Sequence, residues 1–408
     1  MAPSPFDPSD PAILADPYEA LAQLRKDDPV HWHPGLKSWV VTRYDDVRAL
    51  LLGDDLSVSR LTAFYRKLPE GDAALLRDIV GYLNLWIAFR DPPDHTRMRR
   101  IMRHAFTGRA MTAMETGVAP VVDLLLDGLE GRGRIEAIAD YAGKVPAFVI
   151  MDLLDIPRAR FEEFRRWSDD LAVFIGGARR ADDKYERAHR GCAEMAGFFR
   201  DLVAERRATP QNGFVDDLIA ARDDGEALGE DELVATCILV LFAGHETTSN
   251  LIGNALLTLL RHPETLSRFL ADPALTDRTL EEVMRFDGPT GGLVRVVAKD
   301  HELRGRRLGE GERVIVMVTG ANRDPEVFPD PDVFDIDRAP NRHLTFGQGV
   351  HLCIGARLAR EEGRVAVRRF FDRFPTAALA ADDAPEWRDA LVPRGLTALP
   401  LDLKGAAG

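Results

Sequence analysis

The stretch Phe346-Gly347-Gln348-Gly349-Val350-His351-Leu352-Cys353-Ile354-Gly355 constrains this chain more than any other. It sets one cysteine among three glycines, and a helical pattern from Ile354 to Phe371 follows at once. Glycine permits positive φ and close approach of another body. A cysteine facing the first turn of a helix has its thiolate stabilised by unpaired N–H groups and the helix dipole. Together these features describe a site that presents one thiolate to something flat and large. A buried cysteine in a glycine turn is the plainer alternative, and it is the commoner fate of a lone cysteine. The coincidence of three glycines, a histidine and a helix start favours the first reading.

Composition narrows the classes. The 408-residue chain is 45% hydrophobic and 29% charged, an ordinary globular balance. Its net charge of −13 disfavours nucleic acid as a partner, because phosphate binding needs a basic footprint. Cys192, Cys237 and Cys353 are too widely spaced for a disulfide framework or a zinc pattern, which fits a reducing compartment. Cys237 lies in an apolar helical run and reads as core. Met1 to Asp10 carries three prolines and two aspartates, with neither a leader pattern nor a membrane-length run. The expectation is a cytoplasmic protein without a membrane anchor.

Along the chain, Tyr18 to Asp28 reads as a helix and Tyr44 to Leu52 as another. Between them, Val30 to His33 and Ser38 to Thr42 read as strands around a Pro-Gly turn. Leu56 to Arg90 is loose and rich in large apolar residues, Leu85 and Trp86 among them. Asp91-Pro92-Pro93-Asp94 starts a helix carrying His95, Arg97, Arg99, Arg100 and Arg103 with no acid among them. His95 and Arg99, four apart, share a face. Thr112 to Arg207 reads as amphipathic helices, broken at Pro157 and at Ile175-Gly176-Gly177. Leu233 to Leu260 is the longest helical pattern, about 40 Å. Its apolar halves flank a polar centre, Gly244 to Asn250. A membrane span does not place a glutamate and polar neighbours at its midpoint without partners, so a buried helix crossing a functional centre fits better. Glu282 and Arg285 fall three apart on one helix face, an arrangement that on a surface is worth less than about 1 kcal/mol. Thr290 to Val297 reads as a strand with Arg295 in an apolar run. Val314 to Val318 is another strand, and Thr376 to Leu403 reads as short strands and turns.

The cysteine stretch resembles the ligand loop of the cytochrome P-450 superfamily, F-G-x-G-x-H-x-C-x-G, at every fixed position. Ala243-Gly244-His245-Glu246-Thr247-Thr248 is similar to that family's A/G-G-x-D/E-T-T, and Glu282 with Arg285 to its E-x-x-R. With the D-P-P-x run before His95, four motifs stand in the family's order between about Asp16 and Leu403. The resemblance implies a mainly helical α+β fold with a smaller N-terminal-side β-sheet. It also implies a single haem domain over residues 1–408, with no fused reductase, and bound haem b. Cys353 would ligate the iron within the Phe346, Gly347 and Gly355 loop, a thiolate that pushes electron density towards O–O cleavage. His95, Arg99, Arg295 and His351 would hold the propionates. Ala243 and Gly244 would let the flat cofactor and oxygen approach the backbone. Thr247 would position a water or peroxide, and Glu246 would relay protons. Arg338 would complete a buried network with Glu282 and Arg285. His245, a lone histidine, reads as structural.

The implied reaction inserts one atom of O2 into an apolar or amphipathic small molecule, with electrons from NAD(P)H through separate carriers. Leu85, Trp86, Leu239, Phe242, Ala243, Leu293 and Val294 are the expected substrate contacts. Lid helices are expected between Ala159 and Arg206, with Leu171 to Ile175 facing substrate, and the Leu391 to Leu396 tip is expected at the pocket. A basic face with Arg100, Arg103, Arg357 and Arg360 would dock a ferredoxin-type donor. Two other readings stay open: a peroxide-using or non-oxygenating haem-thiolate enzyme, and a non-catalytic haem sensor. Glu246-Thr247 argues against both.

Overall fold

Val30–His33 and Ser38–Val41 form the hairpin that the Pro34-Gly35 turn calls for, with Val30 opposite Val41 and His33 opposite Ser38. Ser38–Val41 then pairs in parallel with Arg313–Val316, which pairs antiparallel with Leu293–Val297. Leu56–Ser57 closes the five-stranded order beyond Leu293–Val297. Side chains alternate across the pleat. Val41, Val314 and Val316 face one core with Tyr44, Val47, Leu50, Phe328 and Leu344. Val40, Ile315 and Met317 face another with Phe6, Leu21 and Leu24. Burial of both faces explains why these strands read as continuous apolar runs.

The computed structural model describes residues 6–8, 10–106, 109–175 and 182–403. The chain divides into two units: Met1–Leu56, Val118–Pro146 and Glu246–Gly408 form the first, and Ser57–Gly117 and Ala147–His245 the second. The first holds the sheet, the helix Thr276–Asp287 and the cysteine helix Ala356–Arg373. Gly363 lets those two helices meet closely; a Cβ there would lie 2.8 Å from Leu280. The expected strand Val314 to Val318 stops at Val316. Val318–Ala321 turns into a short buried helix, and Thr319 bonds through its amide and hydroxyl to the Gly291 carbonyl.

The second unit is helical among its described residues, Leu56–Ser57 at its border aside. Glu70–Asn84 is a helix in the region that the sequence reads as loose. Gly71 and Gly81 weaken its propensity, yet Leu76, Ile79, Val80 and Leu83 recur at helical spacing and are buried. Phe161–Ile175 and Lys184–Ala208 are pinned together by Asp170, which accepts Arg187 at 2.8 Å and Arg190 at 3.0 Å. Leu171 is fully buried rather than poised for a ligand, and Phe174 lies against Phe64 and Tyr185. The expected Gly176-Gly177 break lies outside the described residues.

The longest helix, Glu230–Arg261, runs 32 residues. Its first turn carries Glu230, Asp231 and Glu232, which complement the dipole. It is helical throughout its polar centre. Among the described residues no helix is long and apolar enough to cross a membrane.

A buried polar cluster ties the ends of the first unit together. Tyr18 donates its hydroxyl to Asp287 at 2.7 Å, and Arg394 pairs with the same carboxylate. Arg394 also donates to the carbonyls of Leu14 (2.8 Å) and Ala15 (3.1 Å). Arg394→Ala strands a buried carboxylate and two carbonyls. It is expected to cost about 3–5 kcal/mol, against about 1 kcal/mol for Tyr18→Phe, as read from urea unfolding midpoints.

Candidate active site

The site is built outward from one carboxylate. Glu282, 1% exposed, accepts both arms of Arg285 at 2.7 and 2.8 Å. Helical spacing brings the pair together, and burial makes it strong only because each spare bond is used. Glu282 also accepts the Asp335 amide, Arg338 at 3.3 Å and the Asn341 amide group. Arg285 donates onward to the carbonyls of Asn322, Pro331 and Val333. Arg338 does the same for Pro329 and Asp330.

From Asn322 the bonds reach the cysteine loop. Its side-chain oxygen accepts the Leu344 amide at 2.7 Å, and its amide group donates to Thr345 Oγ1 at 3.0 Å. Thr345 Oγ1 donates to the Met284 carbonyl. The loop then closes on itself through Gly347 N–H to Leu344 O and Cys353 N–H to Phe346 O. Gly347 and Gly349 sit at φ +73° and +70°, where other residues are strained. A Cβ on Gly349 would also lie 2.7 Å from the Leu51 carbonyl oxygen. Cys353 is exposed, three residues before the helix Ala356–Arg373, and Gly355 caps that helix with open space where a Cβ would stand. Asn322, Asn341 and Thr345 were not singled out from the sequence. Their only signal is polarity in an irregular segment.

Glu281 lies beside this network. Burial pushes its carboxyl up, but hydrogen bonds from His343 and Arg360 outweigh that and hold it down at about 2, from an ordinary 4.5. Arg360 also stacks over Phe346 at 4.4 Å. Arg360 is therefore an ion-paired support of the loop, and Arg100 is likewise paired, to Asp223 at 2.8 Å. Arg103 and Arg357 are exposed. A cleft of about 600 Å³ opens next to the loop, lined by Tyr44, Asp45, Arg48, Val327, Arg342, His343 and Gln348. Leu52, Val350 and Leu352 are exposed apolar side chains.

On the long helix, Ala243 and Thr247 are four apart and exposed, within a helix whose apolar halves are buried. Gly244 serves a different purpose from the one expected of it. A Cβ there would lie 2.6 Å from Ile150, so the missing side chain admits a neighbouring helix rather than a cofactor. His245 bonds the Leu241 carbonyl at 2.8 Å. Glu246 is 20% exposed and lies 3.9 Å from Arg388, a residue the sequence did not suggest.

In the second unit, His95 is 1% exposed, four residues before the half-buried Arg99 on Asp94–Ala105. Burial, then the Arg99 charge, hold its imidazole below the ordinary value. Asp94–Ala105 is less bare of acid contacts than its sequence: Glu232 pairs with Arg97 as well as reaching Arg90. Trp86 is buried against Phe89 and Phe242, with ring centroids 6.0 and 5.6 Å away, and among the described residues its indole N–H has no hydrogen-bond partner. Leu85 and Leu239 are half-buried. In the first unit Leu293, Val294 and Arg295 are half-buried on one strand, as is His351 on its 3-10 turn.

The donor set fits a haem. One exposed thiol stands on a loop of glycines, and among the described residues no three His, Cys, Asp or Glu side chains gather to hold a bare metal ion. A macrocycle that brings its own four ligands needs one from the protein. Cys192 and Cys237 are unsuited to the task, since burial pushes both thiols up to about 12.

Two outcomes follow. Glu282→Ala strands the Arg285 charge and is expected to cost about 3–5 kcal/mol, with haem content falling alongside the unfolding midpoint. A carboxyl held below its unfolded value contributes stability above about 4.5, lost as pH falls towards about 2. With Glu281 about a third exposed, that contribution is about 1 kcal/mol, and Glu281→Gln is expected to flatten this part of an acid melting profile.

Comparison with known proteins agrees. The family described as Cytochrome P450 matches residues 70–272 and 270–386. The chain is 37% identical to the Vitamin D(3) 25-hydroxylase of Pseudonocardia autotrophica, over 95% of this chain and 94% of that one. It is 35% identical to the 6-deoxyerythronolide B hydroxylase of Saccharopolyspora erythraea, over 96% of each. The solved structure of P450BioI in complex with hexadec-9Z-enoic acid ligated Acyl Carrier Protein superposes with a TM-score of 0.88 at 33% identity, covering 96% of this chain and 99% of that one. The chain belongs to the cytochrome P450 family and is a haem-thiolate monooxygenase of small organic molecules.

Proposed function

We propose that residues 1–408 act as one cytoplasmic haem b domain that hydroxylates a bulky apolar or amphipathic molecule, drawing electrons from NAD(P)H through a separate ferredoxin and its reductase. The observation that carries the residue assignments is the unbroken run of hydrogen bonds from Glu282 through Arg285, Asn322 and Leu344 to the loop that bears Cys353. Such a run fixes where one sulfur stands, which a ligand of a rigid macrocycle requires.

In this reading Cys353 holds the iron within the Phe346, Gly347 and Gly355 loop. Arg295, His351, His95 and Arg99 hold the propionates, the buried His95 as a neutral donor. When bound, the haem supplies reductive cleavage of dioxygen and transfer of one oxygen atom to the substrate. The protein handles the protons. Ala243 leaves room along the helix face, and Thr247, one turn on, offers its hydroxyl to a water at the reacting end. Glu246, part exposed, exchanges protons with solvent and passes them inward. An acid and an alcohol in sequence favour dioxygen over peroxide as the oxidant.

Leu85, Trp86, Leu239 and Phe242 of the second unit, and Leu293 and Val294 of the first, are the proposed substrate contacts. The similar enzymes named for vitamin D3 and 6-deoxyerythronolide B suggest a polycyclic or macrocyclic alcohol or lactone. For the electron donor, Arg48 and Arg342 at the cleft, Arg357 and the exposed Leu52, Val350 and Leu352 offer apolar and cationic side chains on the first unit, and Arg103 is a further proposed contact on the second.

A screen of vitamin D3, macrolactones and long-chain fatty acids by the haem Soret shift is expected to find a binder among the first two. Turnover with dioxygen and a surrogate ferredoxin system is expected to hydroxylate that binder, and product formed only with peroxide overturns the proposal. Cys353→Ala is expected to lose the thiolate-type carbon-monoxide spectrum. Thr247→Ala is expected to divert electrons to hydrogen peroxide, lowering product by roughly tenfold or more.

A further inference from the structure

Glu246, Asn250 and Asn254 fall at i, i+4 and i+8 of the long helix and share one face. All three meet one segment near the C-terminus. Asn254 donates to the Arg394 carbonyl at 3.1 Å and to the Asp287 carbonyl at 3.0 Å. Asn250 is packed so close to Gly395 that a Cβ there would lie 2.0 Å from its side-chain oxygen. Glu246 Oε1 lies 3.9 Å from Arg388 Nη1.

That segment is held in place by its own bonds. Arg388 N–H donates to Gly395 O at 3.0 Å, closing residues 388–395 into a loop. Its far end is tied to the lead-in of the strand Leu293–Val297, through Gly291 N–H to Val392 O and Arg394 N–H to Pro289 O. Arg394 is saturated by Asp287 and two carbonyls. Arg388 is not: its Nε is buried and, among the described residues, has no hydrogen-bond partner. Among the described residues its one ionic contact is the long one to Glu246, with the arginine side chain 35% and the glutamate 20% exposed.

A bidentate arginine would lock a carboxylate. At 3.9 Å the attraction is one of charge rather than of a formed hydrogen bond. It orients the carboxylate and still lets it swing away, as a group that collects and delivers protons must. Resting on the proposal that Glu246 relays protons, we infer that Arg388 is the positioning residue for Glu246, holding its carboxylate on the side of the C-terminal loop between proton deliveries.

The test uses haem-loaded Arg388→Gln and Arg388→Lys, with dioxygen as the only oxidant and no organic substrate. With electrons supplied by NAD(P)H through the surrogate ferredoxin system, Arg388→Gln is expected to slow oxygen consumption roughly tenfold, less than the hundredfold or more that loss of the proton-handling group itself costs. It is also expected to raise the solvent deuterium isotope effect, with Arg388→Lys restoring both to within about twofold of the parent. Carbodiimide labelling of Glu246, followed by peptide mass spectrometry in haem-free and haem-loaded protein, is expected to rise severalfold in Arg388→Gln. An unchanged rate and isotope effect in Arg388→Gln overturn the inference, as does a lysine variant no better than glutamine. If Glu246→Gln is slowed while Arg388→Gln is not, the inference fails alone. If Glu246→Gln itself behaves as the parent, the proton-relay proposal fails and this inference with it.

Discussion

The buried pair of Glu282 and Arg285 is the contact on which the first unit's irregular chain depends. A desolvated ion pair is a poor source of stability in itself, because its attraction roughly repays what dehydration costs. What it supplies is donors in the right places. Residues 322–345 have almost no ladder in which to satisfy their carbonyls, and buried backbone groups must be paired somewhere. Arg285 and Arg338 stand in for the missing strand neighbours by donating to Asn322, Pro329, Asp330, Pro331 and Val333. Glu282 holds both guanidinium groups in position. A meander fixed in this way can hold the cysteine loop as firmly as a sheet would, while leaving its glycines free to turn.

The long helix solves a different problem, that of rotational phase. A helix of 32 residues must leave one narrow stripe outward and bury the rest. Two glycines set that phase. Gly244 admits Ile150 and Gly253 admits Ile138, each so close that a Cβ would stand within 2.7 Å. With those flanks locked, Ala243 and Thr247 are left outward, and Glu246, Asn250 and Asn254 fall on the C-terminal segment. Polar residues in mid-helix thus have separate duties, set by where the two isoleucines press.

How much of this was legible depends on sequence distance. The cysteine loop, the Glu282 and Arg285 spacing and the acid–alcohol pair are local patterns, readable from adjacent residues. The family and its helix-rich α+β fold follow from them. The sheet hairpin was readable for the same reason, since Pro34-Gly35 sits between two short apolar runs. Glu70–Asn84 was hidden by its two glycines, which tertiary packing overrides. The role of Gly244 was misjudged because small size says that something comes close without saying what. The partners of Arg100 and Arg360 lie far along the chain, at Asp223 and Glu281, so a basic run looked barer than it is. Arg388 was invisible for the same reason. Nothing near it in sequence marks it out, and its meaning comes only from Glu246, well over a hundred residues earlier.

The contrast among the three cysteines gives the protein an internal reporter. Cys192 and Cys237 are enclosed and hold their protons at neutral pH, so electrophiles find neither access nor thiolate there. Cys353 alone stands at the surface of its unit. Alkylation of unmodified protein is therefore a one-site titration. On the proposed ligation of iron by Cys353, its extent counts the fraction of molecules whose sulfur is not yet claimed by the cofactor, a measure of loading that needs neither substrate nor redox partner.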